Sequence, residues 1–271
     1  MDLQLKGKVI LVTGGAKGIG AAIVRGCADE DGVPVIVDRD VDAGRQLQAQ
    51  LESSGGRAGF IPADLVSAQD CALAVEQVLR DFGRLDVLVN NAGMNDRVGL
   101  EHGSPEKFVG SLKRNLLHYY NMAHYGISAL KESHGCIVNI ASKTAVTGQG
   151  GTSGYVAAKG AILALTREWA VELLPYGIRV NAVLPAEVMT PLYQQWLGTF
   201  PNPEEKLREI TAKIPLGGRM TAPEEIAATV LFLISGQASH VTGQHLFVDG
   251  GYVHLDRALT QGREGVGSEQ K

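Results

Sequence analysis

The chain has 271 residues, of which 45% are hydrophobic and 20% are charged, and its formal net charge is −4. This composition excludes a disordered or fibrous chain, and the near-neutral charge gives no reason to expect a nucleic acid or an anionic membrane as partner. No signal peptide opens the sequence and no apolar run is long enough to span a bilayer, so we expect a cytoplasmic protein.

The first predicted element is a strand at residues 8–12, followed by a glycine-rich turn and a helix at residues 21–28. Gly14, Gly18 and Gly20 would let the backbone turn tightly and approach a pyrophosphate at the helix N-terminus. Their spacing, Gly-x-x-x-Gly-x-Gly, differs from the best known dinucleotide fingerprint, Gly-x-Gly-x-x-Gly. Taken alone, this turn could therefore be purely structural.

The second strand, predicted at residues 34–37, ends at Asp38. A carboxylate at this position can accept hydrogen bonds from both hydroxyls of an adenosine ribose and repels a 2′-phosphate, which favours NAD. Lys17 and Arg39 are cations placed where a 2′-phosphate could be met, so the sequence predicts that NADP is tolerated. The alternative is an ordinary aspartate at the end of a strand.

Helices and strands continue to alternate along the chain, with helices at residues 41–52 and 68–82 and strands at residues 57–62 and 85–89. Asp64 follows the third strand, where it could meet an adenine edge. Near-continuous apolar strands argue for burial on both faces of a parallel sheet. The pattern predicts one α/β domain with a Rossmann-type, doubly wound parallel sheet of seven strands flanked by helices.

A long helix is predicted from Ser104, its N-cap, to about residue 130. Pro105 suits the first helical position because its missing N–H has no helical partner there. The helix carries Asn115 and three tyrosines that we expect to serve packing and not chemistry: Tyr119, Tyr120 and Tyr125. Apolar positions on more than one face of this helix predict burial in a subunit interface.

Residues 139–159 hold the groups best suited to move a proton. A strand at residues 134–141 leads to Ser142, whose hydroxyl could hold a substrate oxygen. Tyr155 and Lys159 lie four residues apart, which places both on one helix face, so the ammonium would favour the ionised phenol. An isolated pair of this kind is also consistent with two exposed helical residues.

After a strand at residues 177–184, the pattern changes at residues 191–215 to a polar helical insert rich in aromatic residues. Inserts at the carboxyl end of a strand commonly form lids. Thr221 to Glu224 reads as a capping box that opens a helix to residue 234, and residues 243–248 form the last strand. We predict one domain at residues 1–259 and a disordered tail at residues 260–271.

Taken in order, these motifs resemble the short-chain dehydrogenase/reductase family across residues 5–253. The resemblance rests on Thr13-Gly-x-x-x-Gly-x-Gly20, Asp64, Asn90-Asn-Ala-Gly93, Asn115, Ser142, Tyr155-x-x-x-Lys159, Pro185 and Thr190. It implies a nicotinamide-dependent oxidoreductase. One departure is Ala186, followed by Glu187, where the family usually has glycine after the proline.

The resemblance implies a role for each matching residue. Tyr155 would be the general acid/base, Ser142 would polarise the reacting oxygen, and Asn115 would anchor a water for proton relay. Lys159 would lower the pKa of Tyr155 and bind the nicotinamide ribose. The cofactor would be held by Gly14, Lys17, Gly18, Ile19, Gly20, Asp38, Arg39, Asp64, Leu65, Asn91, Ala92, Gly93, Tyr155, Lys159, Pro185, Val188 and Thr190.

Within the family, residues 142–149 and 189–196 are most similar to L-fucose dehydrogenases and to type 14 hydroxysteroid dehydrogenases of animals. This similarity implies oxidation of C1 of a small aldose such as L-fucose to its lactone. The predicted substrate residues are Asn95, Lys143, Gln149, Glu187 and Trp196, since polar groups match hydroxyls and an indole face covers a pyranose. Some of these polar residues could instead face solvent, and Trp196 could instead pack the insert onto the domain.

Two other functions remain open at this point: a ketone reductase of 3-oxoacyl thioesters or hydroxysteroids, and a nonenzymatic dinucleotide-binding scaffold. The seven histidines show no spacing typical of a metal site, and Cys27, Cys71 and Cys136 form neither a metal knuckle nor a disulfide framework. No metal is predicted, and the scattered cysteines fit a reducing compartment. The resemblance implies a homotetramer.

Overall fold

The computed structural model describes residues 2–255, so the predicted tail at residues 260–271 lies outside the described residues. All strand pairs of the central seven-stranded sheet are parallel, and the strand order is β3-β2-β1-β4-β5-β6-β7. The strands are β1 (Val9–Thr13), β2 (Val33–Asp38), β3 (Gly59–Pro62), β4 (Val87–Asn90), β5 (Cys136–Ile140), β6 (Arg179–Pro185) and β7 (His245–Val248). The predicted doubly wound sheet is confirmed.

The helices are α1 (Gly18–Asp29), α2 (Val41–Ser53), α3 (Ala68–Phe82), α4 (Pro105–Leu112), α5 (His118–Ser133), α6 (Ser153–Glu172), α7 (Pro191–Leu197), α8 (Pro203–Thr211) and α9 (Pro223–Ile234). Buried residues of α1, α2 and α9 form one hydrophobic core against the sheet. Those of α3, α5 and α6 form a second core on the opposite face. Covering both faces with helices explains why the strands read as continuous apolar runs.

The predicted long helix is interrupted by one turn of π-helix at Lys113–Leu117, which joins α4 to α5. Its N-terminus is as predicted, since the Ser104 hydroxyl accepts from the Lys107 backbone N–H at 3.2 Å and Pro105 is the first helical residue. A π-turn adds one residue to the helical repeat and shifts the side chains that follow it. Asn115, at the centre of this turn, is completely buried.

The insert at residues 191–215, which we call the lid segment, contains the short helices α7 and α8. The capping box predicted after it is shifted by one residue. Helix α9 begins at Pro223, and the Glu225 carboxylate, not that of Glu224, accepts from the Ala222 backbone N–H at 2.8 Å. Proline at the first helical position explains the shift, because it fixes where the helix starts.

Cys27 on α1, Cys71 on α3 and Cys136 on β5 are buried free thiols. Burial raises the pKa of Cys27 to about 12 and that of Cys71 to about 11. Within residues 2–255, no helix combines the length and the apolar character needed to cross a membrane.

Candidate active site

A cavity of about 600 Å³ opens at the carboxyl ends of the strands. It lies where the strand order reverses between β1 and β4, the position at which open α/β sheets bind ligands. One part of its wall, the glycine end, consists of the turn at residues 14–20 and Asp38. The other part, the tyrosine end, consists of Ser142, Tyr155, Lys159 and the first residues of the lid segment.

Glycine is required in the turn at the glycine end by close backbone approach. Gly14 has φ +63°, and a Cβ on Gly20 would collide with the Gly14 carbonyl oxygen. Helix α1 then begins at Gly18 with no side-chain cap from Lys17 and no acidic residue in its first turn. Its first backbone N–H groups are therefore suited to an anionic group such as a pyrophosphate.

The turn is held in place by the last residue of β1 and by the residues that follow β4. The Thr13 hydroxyl accepts from the backbone N–H groups of Asn91 at 2.9 Å and Ala92 at 3.2 Å. The Asn91 side-chain amide donates to the carbonyl oxygens of Thr13 at 3.0 Å and Gly14 at 3.1 Å. Asn91 lines the cavity, as predicted for a cofactor residue, but its amide group is committed to this backbone scaffold.

Asp38 lies at the end of β2 and is fixed by two backbone groups. One carboxylate oxygen accepts from the Ala16 N–H at 3.1 Å and the other from the Asp40 N–H at 3.0 Å. The predicted cation Lys17 pairs with Asp40 at 2.5 Å. Both lie on the cavity wall, together with the predicted cofactor residues Gly18, Ile19, Arg39, Asp64, Leu65, Ala92 and Gly93.

Ser142 and Tyr155 face each other at the tyrosine end. Ser142 follows β5, is buried, and accepts from the Thr144 hydroxyl at 3.0 Å and the Thr144 backbone N–H at 3.2 Å. Tyr155 projects from the first turn of α6. Desolvation raises the pKa of its phenol, and a hydrogen bond with Ser142 opposes that rise.

Lys159 lies one helical turn after Tyr155 and is only 2% exposed. Its Nζ donates to the Ile140 carbonyl oxygen at 2.7 Å and to the Tyr119 hydroxyl at 3.0 Å, and it lies 5.7 Å from the Tyr155 ring centroid. Burial lowers the pKa of this amine to about 7. These hydrogen bonds direct the ammonium to the Ile140 carbonyl and the Tyr119 hydroxyl, and lowering of the Tyr155 pKa by Lys159 stays a prediction.

Asn115 does not reach the cavity wall. Its side-chain oxygen accepts from the Met94 backbone N–H at 2.7 Å, and its amide donates to the Ser111 carbonyl oxygen at 3.1 Å. The Asn115 side chain thus ties the π-turn to the loop after β4.

The end of β6 and the segment that follows it border both parts of the cavity. The cavity is lined here by the predicted residues Pro185, Val188 and Thr190 and also by Ala186. The Thr190 hydroxyl is the N-cap of α7 and accepts from the Tyr193 backbone N–H at 3.2 Å. Thr190 therefore joins the cavity wall to the start of the lid segment.

The predicted substrate residues do not all reach the cavity. Asn95 lines it and accepts from the Thr152 hydroxyl at 2.5 Å, whereas Gln149 is exposed to solvent. Lys143 and Glu187 form an ion pair with side chains only 10% and 17% exposed. Glu187 also accepts from the Tyr193 hydroxyl at 2.8 Å. These two charges are thus satisfied by each other and by the lid segment.

Trp196 packs inside the lid segment, with its ring edge-on between Tyr193 at 5.1 Å and Phe200 at 4.9 Å. It does not contribute to the cavity wall. Wall residues that the sequence did not predict include Met94, Arg114, His118, Leu192, Tyr193 and Gln195. The residues on α7 could have been predicted, because the insert that contains them follows a strand at the edge where ligands bind. The residues in or near the π-turn could not, because no clear sequence pattern marks this helical irregularity.

Comparison with known proteins agrees with this geometry. A family model described as enoyl-(acyl carrier protein) reductase matches residues 14–253. The L-fucose dehydrogenase of Bos taurus is 38% identical over 252 residues, which cover 93% of this chain and 91% of the relative.

Two solved structures share the fold over almost the whole chain. The crystal structure of the Cj0485 dehydrogenase is 47% identical, with a TM-score of 0.91 over 96% of this chain and 99% of that one. The L-sorbose reductase from Gluconobacter frateurii, complexed with NADPH and L-sorbose, is 28% identical, with a TM-score of 0.90 over 94% of this chain and 100% of that one. The chain belongs to the short-chain dehydrogenase/reductase family of NAD(P)-dependent oxidoreductases.

Proposed function

We propose that the enzyme oxidises C1 of a small aldose, with L-fucose as the best candidate, to the corresponding lactone, and that it uses NAD in preference to NADP. One observation carries this proposal: Ser142, Tyr155 and Lys159 border the same cavity as the glycine turn and Asp38. A proton acceptor and a dinucleotide cradle in one cavity match the needs of alcohol oxidation.

The residues of the glycine end fit a dinucleotide. The open N-terminus of α1 suits a pyrophosphate, and the oriented Asp38 carboxylate suits the hydroxyls of an adenosine ribose. The chemistry that a bound nicotinamide supplies is acceptance of a hydride from carbon. All other parts of the reaction fall to side chains of this chain.

In the proposed reaction, Ser142 holds the C1 hydroxyl of the substrate beside Tyr155. The Tyr155 phenolate takes the hydroxyl proton as the C1–H bond breaks with its electron pair, and the C1–O bond becomes the lactone carbonyl. Lys159 stabilises the phenolate by its positive charge. Because desolvation favours the neutral phenol of Tyr155, whose ionised form is the base, oxidation is expected to be faster above neutral pH.

A sugar substrate is supported by the relatives and by the cavity wall. Two of the compared proteins are named for sugar chemistry. The wall of the cavity carries the polar side chains of Asn95, Arg114, His118 and Gln195. Polar groups of this kind can pair with hydroxyls, whereas they lose hydrogen bonds beside an apolar ring system.

A second candidate function is reduction of a ketone in a 3-oxoacyl thioester or a hydroxysteroid. The description of the matching family model, which names an acyl carrier protein, favours this alternative. So do Met94 and Leu192, apolar residues of the cavity wall that are 37% and 59% exposed. The nonenzymatic scaffold, considered from the sequence, is excluded by membership of the enzyme family.

A substrate panel separates the two functions. L-Fucose, other aldoses, a hydroxysteroid and an acetoacetyl thioester are offered with the appropriate nicotinamide dinucleotide, and turnover is read from nicotinamide absorbance. We expect turnover of L-fucose and of aldoses that share its configuration near C1. Turnover confined to the steroid or the thioester would end the sugar proposal.

Cofactor preference is tested separately by Asp38→Ala. The carboxylate repels a 2′-phosphate at short range, so its removal should bring the kcat/KM values for NAD and NADP closer together by roughly tenfold. Asp42→Ala, in the first turn of α2, serves as the control because Asp42 does not line the cavity. An unchanged preference in Asp38→Ala would mean that Asp38 is not the selector.

We also propose a cytoplasmic homotetramer, organised as one domain over residues 1–259 with the lid segment as an insert. Exposed apolar residues on α4, the π-turn and α5, among them Val109, Leu117 and Tyr120, support an interface between subunits. Sedimentation at micromolar concentration tests this proposal, and a monomer would refute it.

A further inference from the structure

The ammonium of Lys159 has a partner that sequence analysis assigned to packing. Tyr119 on α5 is completely buried, and its hydroxyl donates to the Ile140 carbonyl oxygen at 2.8 Å. Lys159 Nζ donates both to that same carbonyl oxygen, at 2.7 Å, and to the Tyr119 hydroxyl oxygen, at 3.0 Å. The amine, the phenol and the carbonyl therefore form a closed triangle beneath the tyrosine end of the cavity.

We propose that Tyr119 is a positioning residue for Lys159, fixing the ammonium through its phenolic oxygen. A phenol carries one proton and accepts through its oxygen. The Ile140 carbonyl takes that proton, so the hydroxyl presents a lone pair to the ammonium. The inference deepens the proposed function, because it rests on the role of Lys159 in the reaction.

Tyr119 is itself held rigidly. Its ring packs against that of His118, with centroids 4.8 Å apart, and its backbone carbonyl oxygen accepts from the Asn90 side chain at 3.4 Å. The Asn90 side chain in turn donates to Asn139 at 3.1 Å, which links α5 to β4 and β5. A hydroxyl on such a support holds its position more firmly than an ordered water would.

The triangle occupies two of the three donors of the ammonium. The third donor is left for the side on which Gly93 and Tyr155 lie. Acceptors also stabilise the charged form of a buried amine, which desolvation alone would disfavour. Tyr119 therefore fixes the direction of the Lys159 ammonium, and it also keeps this amine protonated over a wider pH range.

The groups that face Lys159 and can titrate are Tyr119 and His118 on α5 and Tyr155 on α6. Burial and the nearby Lys159 charge lower the pKa of His118 to about 4, so this imidazole stays neutral at physiological pH. Burial raises the pKa of Tyr119, so its phenol stays protonated. The titration of Lys159 near neutral pH can therefore be separated from that of its neighbours.

Tyr119→Phe removes only the hydroxyl, and Tyr120→Phe is the matched control because Tyr120 is adjacent and 52% exposed. The titration midpoint of Lys159 is followed by NMR of isotope-labelled lysine, and Lys159→Met identifies the signal. Loss of an acceptor for the charged form should lower the midpoint by about one pH unit in Tyr119→Phe. We expect no change in Tyr120→Phe. A Lys159 midpoint in Tyr119→Phe equal to those in the wild type and in Tyr120→Phe would overturn the proposal.

Activity supplies a second test, which requires a substrate from the panel. In Tyr119→Phe we expect a roughly tenfold fall in kcat and an acidic limb of the pH profile that moves to higher pH, since a neutral Lys159 leaves Tyr155 harder to ionise. In the Lys159→Met background, Tyr119→Phe should cause little further loss of kcat, because Tyr119 acts through the ammonium that Lys159→Met already removes. Additive losses in the double variant would overturn the proposal.

The NMR titration needs no substrate, so failure of the proposed function leaves this test intact. If Tyr119→Phe does not fold, Tyr119→Gln and Tyr119→Met are compared, one with and one without an oxygen acceptor. We then expect the Lys159 midpoint to lie higher in Tyr119→Gln. Equal midpoints in that pair would overturn the proposal.

Discussion

The glycine end and the tyrosine end of the cavity are built from different kinds of contact. At the glycine end, backbone groups and short side chains such as Thr13 and Asn91 fix a turn that glycine spacing already dictates. In and next to the tyrosine end, side chains from distant segments meet each other, as the wall residue Tyr193 does with Glu187, which pairs with Lys143 behind the wall. A motif can define the first kind of site, whereas the second depends on which long side chains the fold brings together.

The largest expected effect tests whether chemistry belongs to the tyrosine end alone. Tyr155→Phe removes the proton acceptor but keeps the ring, so kcat should fall by about 10²- to 10⁴-fold, roughly 3 to 5 kcal/mol. Binding at the glycine end should change little, and dinucleotide affinity measured by fluorescence titration checks this. Tyr125→Phe, 40% exposed on α5, is the control. A Tyr155→Phe enzyme that kept more than about half of wild-type turnover would remove Tyr155 from the mechanism.

The next effect sharpens the distinction between the lid segment and the cavity wall. Trp196 packs between Tyr193 and Phe200, so Trp196→Ala should cost about 2 kcal/mol of stability and lower the thermal midpoint by roughly 4 to 8 °C. The KM for substrate should stay near wild type.

Leu192→Ala on the same helix is the matched contrast to Trp196→Ala, since Leu192 lines the cavity and is 59% exposed. It should raise KM with little change in the thermal midpoint. A raised KM with an unchanged thermal midpoint in Trp196→Ala, and the reverse in Leu192→Ala, would instead identify Trp196 as a substrate contact.

A smaller effect concerns Lys159. The folded chain holds this amine with a pKa of about 7 against an ordinary value of 10.5, so the unfolded state binds more protons between these limits. Stability should therefore rise with pH across this window, by at most about 1.4 kcal/mol per pH unit for one proton. Lys159→Met should remove that part of the slope. Denaturant unfolding at several pH values measures it, and identical slopes in both proteins would contradict the prediction.

The smallest effect tests the side-chain network of the tyrosine end. Tyr193→Phe removes the hydrogen bond from α7 to Glu187, which should weaken closure of the lid segment by about 1 kcal/mol, or about fivefold in substrate KM. Dinucleotide affinity should change less. Tyr176→Phe, outside the cavity wall, is the control. Equal rises in the KM values for substrate and dinucleotide would show that the network serves both parts of the cavity.

The fold was predictable because its signals are local. Apolar runs marked the strands, and Ser104 with Pro105 marked the start of α4. The positions of Tyr155 and Lys159 on one helix face followed from their spacing alone. Each of these inferences requires only a few neighbouring residues, and the structure reproduces them with shifts of a few residues.

What the sequence missed depends on contacts across the fold. The π-turn at Lys113–Leu117 sets the side-chain directions that follow it, including that of Tyr119, and its residues carry no clear pattern. Lys143 and Glu187 were predicted as substrate residues because their polar groups could match substrate hydroxyls. Their mutual ion pair joins residues 44 positions apart in the chain, and no spacing rule predicts such a pairing.

The three buried thiols can be used to measure local opening of the fold. Cys27, Cys71 and Cys136 lie in a helix on one face, a helix on the other and a central strand. A thiol reagent reaches each one only when the surrounding layer opens, because a buried, protonated thiol does not react. Labelling rates followed cysteine by cysteine would therefore show whether a ligand in the cavity stabilises one layer of the protein or all three.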